Sequence, residues 1–249
     1  MLSLRRVIAY KSMQLFYTPH ITEDDEVFTL SKDESHHAVK VLRIKEGDEI
    51  HTTNGQGLMV RAVVELASPS MLRVKVVERI DDFQRRDYKI HVAIAPTKMN
   101  ERMEWFLEKA TEVGVDEITP IICHHSERRV YNCERGRRVI LSAGKQSLKA
   151  TFPVLNEAMS FMDFIKNCNS ASRFMAHCMD DDEKILLPSL MRDANDICVL
   201  IGPEGDFSPQ ELQEARKAGF RAVSLGSSRL RAETAALYAV MAAYAVKGN

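Results

Sequence analysis

The feature that most restricts this chain is a change of hydrophobic rhythm near residue 88. Before it, apolar and polar residues alternate in short runs: Glu49-Ile-His-Thr-Thr53, Leu58-Met-Val-Arg-Ala-Val-Val64 and Met71-Leu-Arg-Val-Lys-Val-Val77. Period-two patterning belongs to strands with one buried face. After it, mostly apolar runs such as Lys89–Ala95 and Asp196–Ile201 alternate with segments of helical period. That alternation builds a largely parallel sheet covered by helices on both faces. The chain therefore reads as an α/β domain preceded by a small β-barrel or sandwich.

The expected boundaries follow. Residues 13–80 form the β domain, 81–87 the linker within the charged stretch Arg79–Asp87, and 88–249 the α/β domain. Residues 1–12 carry Arg5, Arg6 and Lys11, no acid, and none of the apolar stretch of a secretory signal. They read as an extension before a start at Met13. In the β domain, Asn54-Gly55 between two alternating runs predicts a type I′ hairpin turn, with positive φ at both residues. One short helix is expected near Glu34–Leu42. In the α/β domain, Met103, Phe106, Leu107, Ala110 and Val113 share a helical face over Asn100–Val113, with Gly114 as the stop. Strands are expected at Glu117–Cys123, Arg173–Cys178, Asp196–Ile201 and Arg221–Leu225, and a helix at Glu134–Lys149.

Composition narrows the function classes. No run approaches the ~18 apolar residues of a membrane span. Five cysteines, an odd number without a CxxC pair, argue against a disulfide framework or a zinc cage. A reduced, cytoplasmic protein is expected. The net charge of −1 excludes a whole-molecule basic field, so RNA binding would need a local patch. Arg128, Arg129, Arg135, Arg137, Arg138, Lys145 and Lys149 supply one candidate. Such runs are usually solvated faces. With Lys40, Arg43 and Lys45 of the β domain, a phosphate-binding surface becomes the favoured reading.

The chemistry is expected at two strand ends, where open parallel sheets bind ligands. Asp196–Ile201 runs into Gly202-Pro-Glu-Gly-Asp-Phe207, followed by Ser208-Pro-Gln-Glu211, a capping box with proline at the first helical position. A plain βα turn and a ligand loop are equally consistent with that segment alone. Arg221–Gly226 leads through Ser227-Ser-Arg-Leu-Arg231 into Ala232–Val246, a helix apolar or small nearly all round, which must be buried on more than one side. Arg229 and Arg231 are either salt-bridged loop residues or, beside a strand end and a helix start, the partners of an anionic or nucleotide ligand. Three other patterns fail. Ala143-Gly-Lys-Gln-Ser147 lacks the first glycine and the Ser or Thr of a P-loop, His36-His37 and His124-His125 lack companion metal ligands, and no G-x-G-x-x-G follows a strand.

Gly202-Pro-Glu-Gly205 followed by Leu225-Gly226-x-x-x-Leu230-Arg231-x-Glu233-Thr234-Ala235 resembles the signature of the RsmE family. His36-His37-x-x-x-Val41-Leu42-Arg43 with Gly47-Asp48, Glu108–Val115 and Gln146-Ser147 fit as well, so the resemblance runs from about Gln14 to Val246. These proteins are SPOUT methyltransferases that form N3-methyluridine in 16S ribosomal RNA. The resemblance implies a PUA-like β-barrel that binds RNA and a trefoil-knotted α/β domain with a parallel sheet. It further implies a homodimer, S-adenosylmethionine as methyl donor, and a decoding-centre uridine of the 30S subunit as target. Neither metal nor membrane is implied. Carried onto this chain, it puts Leu200, Ile201, Gly202, Pro203, Glu204, Gly205, Leu225, Gly226, Leu230 and Thr234 at the cofactor. Arg231 becomes the candidate catalytic donor, and Lys40, Arg43, Arg128, Arg129, Lys145 and Lys149 the RNA contacts. Three positions depart from the family pattern: Asp206 replaces a common glycine, Lys149 a common arginine, and Ser228-Arg229 an Arg-Ile pair. A general base is not evident; His177 at a strand end is a candidate, and Glu204 and Glu233 read as structural. The alternatives are a SPOUT ribose 2′-O-methyltransferase of tRNA or rRNA and a non-catalytic RNA-binding protein.

Overall fold

A computed structural model describes residues 13–80, 83–179 and 184–248; the extension at 1–12 lies outside them. The chain divides into two compact units. The first takes in residues up to 85 and, discontinuously, 144–152; the second takes 86–143 and the chain from 153 onward.

The first unit is a five-stranded mixed sheet. Its strands are β1 (Leu15–Tyr17), β2 (Val27–Thr29), β3 (Glu49–Thr53), β4 (Met59–Ser68) and β5 (Met71–Ile80), in the order β1-β3-β4-β5-β2. Only β1 and β3 run parallel. Helix α1 (Lys32–His36), capped by the Ser31 hydroxyl, continues into a wider turn over His37–Val41. Phe16, Leu30, Ala38, Ile50, Ala62, Val64, Leu72 and Val74 form the core. The alternating apolar positions of β3, β4 and β5 supply most of it, each large side chain contributing roughly 1.5–3 kcal/mol of burial. β5 continues through Arg79 and Ile80, the last residues of the expected β domain.

The hairpin between β3 and β4 forms, but not by a two-residue turn. Gly55 and Gly57 have φ of +75° and +107°, whereas Asn54 is not in the left-handed region. The Asn54 side-chain oxygen instead accepts the Gln56 and Leu58 N–H groups at 2.8 and 3.3 Å, making a longer Asx-type loop. That loop pairs with the returning segment: Gly57 N–H donates to Ala150 O at 3.0 Å and Phe152 N–H to Gly55 O at 2.8 Å.

The second unit is a parallel sheet in the order β11-β13-β10-β12-β6-β7-β8, with β9 also paired to β7. The strands are β6 (Lys89–Ile94), β7 (Glu117–Ile122), β8 (Val154–Leu155), β9 (Met159–Ser160), β10 (Ser172–Ala176), β11 (Ile185–Leu186), β12 (Asp196–Ile201) and β13 (Arg221–Ser224). The helices are α2 (Asn100–Val113), α3 (Cys133–Gln146), α4 (Phe161–Asn167), α5 (Leu187–Met191), α6 (Pro209–Lys217) and α7 (Ala232–Lys247). β13, last in sequence, lies between β10 and β11 rather than at an edge. Cys198 and Leu200 of β12 pack with Phe161, Phe164 and Leu212 of α4 and α6. Alternation sends Ile197, Val199 and Ile201 to the opposite face, where α7 lies on β6 and β12 and against α2.

Several expected boundaries shift for local reasons. α2 matches residue for residue and ends at Gly114, φ +114°. Its buried face takes Thr111, whose hydroxyl donates to Leu107 O at 2.7 Å, while Val113 is only half-buried. β7 stops at Ile122 because Cys123 enters a turn closed by the Ser126 hydroxyl at 2.9 Å. α3 stops at Gln146, three residues early: Leu148 adopts φ +56° and Lys149 N–H returns to Gly144 O at 2.9 Å. β10 and β13 end at Ala176 and Ser224, short of the expected Cys178 and Leu225.

Candidate functional site

The sheet brings three carboxyl ends together. Ile201 of β12 pairs with Ala176 of β10, and Ala176 pairs with Val223 of β13. The two glycine-bearing loops are thus not direct neighbours. They flank the end of β10, which sets the buried His177 and the exposed Cys178 between them. On the other side of β12, Ala95 N–H donates to Ile201 O at 2.9 Å, so the segment after β6 borders the same edge.

The glycines serve different ends. Gly226 has φ +113°, and an added Cβ would meet nothing within 4 Å. Its backbone is a left-handed turn opening onto free space, which is what close approach of a ligand to the main chain needs. Gly202 and Gly205 have ordinary φ. A Cβ there would lie 3.0 Å from the Phe207 ring and 3.0 Å from His125 Cβ, so the loop's own neighbours occupy that space. Leu200, Ile201 and Pro203 are buried, while Glu204 and Gly205 are exposed.

After the loop, Ser208 and Glu211 form the expected capping box at the start of α6. α7 begins differently. Arg231 precedes its first turn, and its side chain makes no cap hydrogen bond to the first N–H groups at the positive helix end. Arg229 and Arg231 are exposed, and among the described residues neither guanidinium has a carboxylate within ion-pair distance. Glu233 is buried, with a carboxylate oxygen 3.9 Å from Arg102 Nε. Leu225 and Leu230 are half-buried, and Thr234 is exposed on the first turn of α7.

The basic residues divide. In the first unit, Lys40 and Arg43 are exposed, and Arg43 holds φ +59°. Lys145 Nζ sits 2.5 Å from Glu34 Oε1. Lys149 is half-buried. In the second unit, Arg128 donates to the Asn100 side chain and to Lys98 O. Arg129 donates to Cys123 O at 3.2 Å and to His124 O at 2.8 Å. Arg135 pairs with Glu104 at 2.6 Å, and Arg137 with Glu134 and Glu157. Much of the run from Arg128 is thereby committed to partners within its own fold.

Sequence reasoning missed what His124 and His125 do. They hold the loop after β7 in place: His124 N–H donates to Glu211 Oε1 at 2.8 Å, and His125 Nδ1 lies 3.0 Å from Asp206 O. Among the described residues, no three His, Cys, Asp or Glu side chains converge as metal ligands, and no helix is long and apolar enough to cross a membrane. Burial, with Glu211 nearby, pushes the Cys123 thiol well above its ordinary range, so beneath this loop it stays protonated.

Three adjacent strand ends of the parallel sheet thus carry an open glycine turn, a helix start without a side-chain cap and two exposed arginines. Residues 84–244 match the model of an RNA methyltransferase domain, and residues 30–77 that of an RNA methyltransferase PUA domain. The chain belongs to this RNA methyltransferase family, in the RsmE branch that its C-terminal motifs resemble. The architecture is the SPOUT type preceded by a PUA-like unit. A probable rRNA-methyltransferase structure from Porphyromonas gingivalis is 41% identical, covers 94% of this chain and 98% of its own, and superposes with a TM-score of 0.84. The Neisseria gonorrhoeae Ribosomal RNA small subunit methyltransferase E, solved bound to S-adenosyl methionine, is 26% identical, with 94% and 97% coverage and a TM-score of 0.81. The protein of the same name from Rickettsia conorii is 27% identical over 231 residues, 92% of this chain and 94% of its own.

Proposed function

We propose that this chain transfers a methyl group from S-adenosylmethionine to N3 of a decoding-centre uridine of 16S rRNA in the 30S subunit. The observation that carries the reading is the pair of strand-end loops flanking β10, one with the open left-handed turn at Gly226, beside the uncapped start of α7 at Arg231. The cradle suits the cofactor: its backbone N–H and C=O groups at Ile201–Gly205 and Leu225–Leu230 are the partners an adenosine and an amino-acid tail require, and Leu200 and Thr234 border them. When bound, the cofactor supplies a methyl group on a positively charged sulfonium.

The chain's own task is the uracil. N3 carries a proton at neutral pH, which must leave before or during attack. The resulting anion spreads onto the two carbonyl oxygens, where a charged donor stabilises it. Arg231 is that donor, and the uncapped N–H groups of α7 reinforce the same polarity. Orientation of the base against the donor accounts for up to ~7–11 kcal/mol of such a barrier. Lys40 and Arg43 on the PUA-like unit hold RNA phosphates, and Arg128, Arg129, Lys145 and Lys149 contribute where their internal partners release them. The α/β unit is read as the trefoil-knotted form of its fold, and the protein as a cytoplasmic homodimer. Support for the dimer comes from α7, where Met241, Tyr244 and Ala245 are exposed beside the buried Ala239, Val240, Ala242 and Ala243.

The test is incubation with isotopically labelled cofactor and 30S subunits lacking the modification, followed by nucleoside mass spectrometry. Label in N3-methyluridine is expected. Label in a 2′-O-methylated nucleoside, or none, overturns the reading. Light scattering at micromolar concentration checks the dimer, and a monomer mass rejects it.

A further inference from the structure

We infer that Asp206 is a positioning residue that presets the Gly202–Gly205 loop for the cofactor; this deepens the reading of that loop as the methyl-donor site. Asp206 holds φ +63°, a backbone conformation that side chains disfavour and glycine adopts freely. A glycine there would relieve the strain, so the aspartate side chain must contribute something that glycine lacks. Its carboxylate makes two bonds. Oδ2 accepts the Cys178 N–H at 2.7 Å, and Oδ1 accepts the Phe207 N–H at 2.8 Å.

The second of these is local, and any Asx-type turn has its like. The first is not: Cys178 is 28 positions away, just beyond the end of β10. The main chain adds two links, Asp206 N–H to Pro203 O at 2.9 Å and His125 Nδ1 to Asp206 O at 3.0 Å. One residue thus ties together the loops after β7, β10 and β12. The loop after β12 is the one whose backbone must meet the ligand, and its Glu204-Gly205 tip is exposed. Strand pairing at Ile201 and Ala176 sets where the loop begins, and the bond to Cys178 sets the position of its far end relative to β10. Without that bond, the cofactor would have to order the loop on binding.

Calorimetry with S-adenosylhomocysteine separates this inference from the reading beneath it. If the unaltered protein does not bind, the cofactor reading fails. If it binds, Asp206→Gly is the decisive variant, because glycine keeps the left-handed backbone and removes only the carboxylate. Its affinity should fall roughly tenfold, the worth of a lost charge-assisted hydrogen bond, while its thermal midpoint stays near that of the parent. Asp206→Asn, which keeps one acceptor oxygen, should recover part of the loss. Amide exchange of Cys178 in the free protein should quicken in Asp206→Gly. Wild-type affinity in Asp206→Gly, or a loss that Asn does not partly restore, overturns the proposal.

Discussion

Glu211 reaches back across 87 positions to His124. One carboxylate oxygen accepts the His124 N–H at 2.8 Å, while the other accepts the Ser208 N–H at 2.8 Å. A capping-box glutamate is ordinarily a local device. Here it also fastens the loop after β7 to the helix that follows Gly202–Phe207, and it is buried in doing so. Glu211→Ala leaves both N–H groups without this acceptor and should cost about 2–4 kcal/mol. Glu211→Gln, keeping one acceptor oxygen, should cost less. Urea unfolding followed by circular dichroism measures both, and equal midpoints for parent and Ala variant contradict the account.

Gly226 combines a positive φ with open space in front of its missing Cβ. Gly226→Ala pays left-handed strain of about 1–2 kcal/mol, and Gly226→Val adds bulk where the ligand backbone contact is proposed. Valine should therefore weaken S-adenosylmethionine binding far more than alanine, although both remain folded. Matching affinities in calorimetry would remove Gly226 from the site.

Arg43 and Arg231 should separate in kinetics. Loss of the exposed Arg43 removes a phosphate contact, weakening 30S binding and flattening the log–log salt dependence by about 0.7–0.9. Its rate at saturating RNA should hold. Arg231→Ala should bind RNA nearly normally but lose about 2.7–4 kcal/mol of transition-state stabilisation. Arg129→Ala should resemble neither, since its guanidinium braces the Cys123 and His124 carbonyls. Its first effect should be on stability. Single-turnover rates and filter binding across a salt series distinguish the three.

Gly144 lies within α3, where alanine normally stabilises. A Cβ there would lie 2.5 Å from two atoms of the Phe152 ring. Gly144→Ala should destabilise by about 1–3 kcal/mol through overpacking, outweighing the ~1 kcal/mol gain in helix propensity. Gly144→Ala combined with Phe152→Leu should regain part of that loss in thermal denaturation.

His91 predicts an acid-sensitive core. Burial holds its imidazole below the ordinary range, against the opposing pull of Glu117 and Asp196, and Nε2 lies 2.7 Å from the Thr119 hydroxyl. A depressed folded-state value means that the unfolded chain takes up the proton first. The contribution of His91 is thus complete above the unfolded pKa near 6.5 and is lost as pH falls toward the folded one. Stability of the parent should drop as pH falls below about 6.5, and the drop should shrink in His91→Gln.

Long elements with strong periodicity were legible: α2 and β12 match their expected limits, and the Ser208–Glu211 cap forms as its residue types dictate. β8, β9, β11 and α4 were not, because two residues cannot establish a strand period nor seven a helical one, and these segments are held by pairing and packing with neighbours. The turn at Asn54 failed for a different reason. Asn-Gly favours a tight hairpin locally, but the 150–152 segment supplies hydrogen bonds that only a wider loop can meet. At the site, the signature residues located the strand ends, yet no spacing could show β10 between them. Asp206 stood out as the departure from a glycine, while its bond to Cys178 depends on strand order alone.

The segment from 144 to 152 belongs to the first unit although residues 86–143 of the second are made before it. In the order of synthesis, the N-terminal unit is released from the ribosome lacking its last piece. Ala150 O, which receives the Gly57 N–H and lies 2.9 Å from the Thr53 hydroxyl, arrives only after α2, β7 and the whole of α3. The PUA-like unit is thus not a cassette that finishes folding first and waits. Its completion is timed by its neighbour, and a gene cut at the linker encodes a first unit without its 144–152 segment.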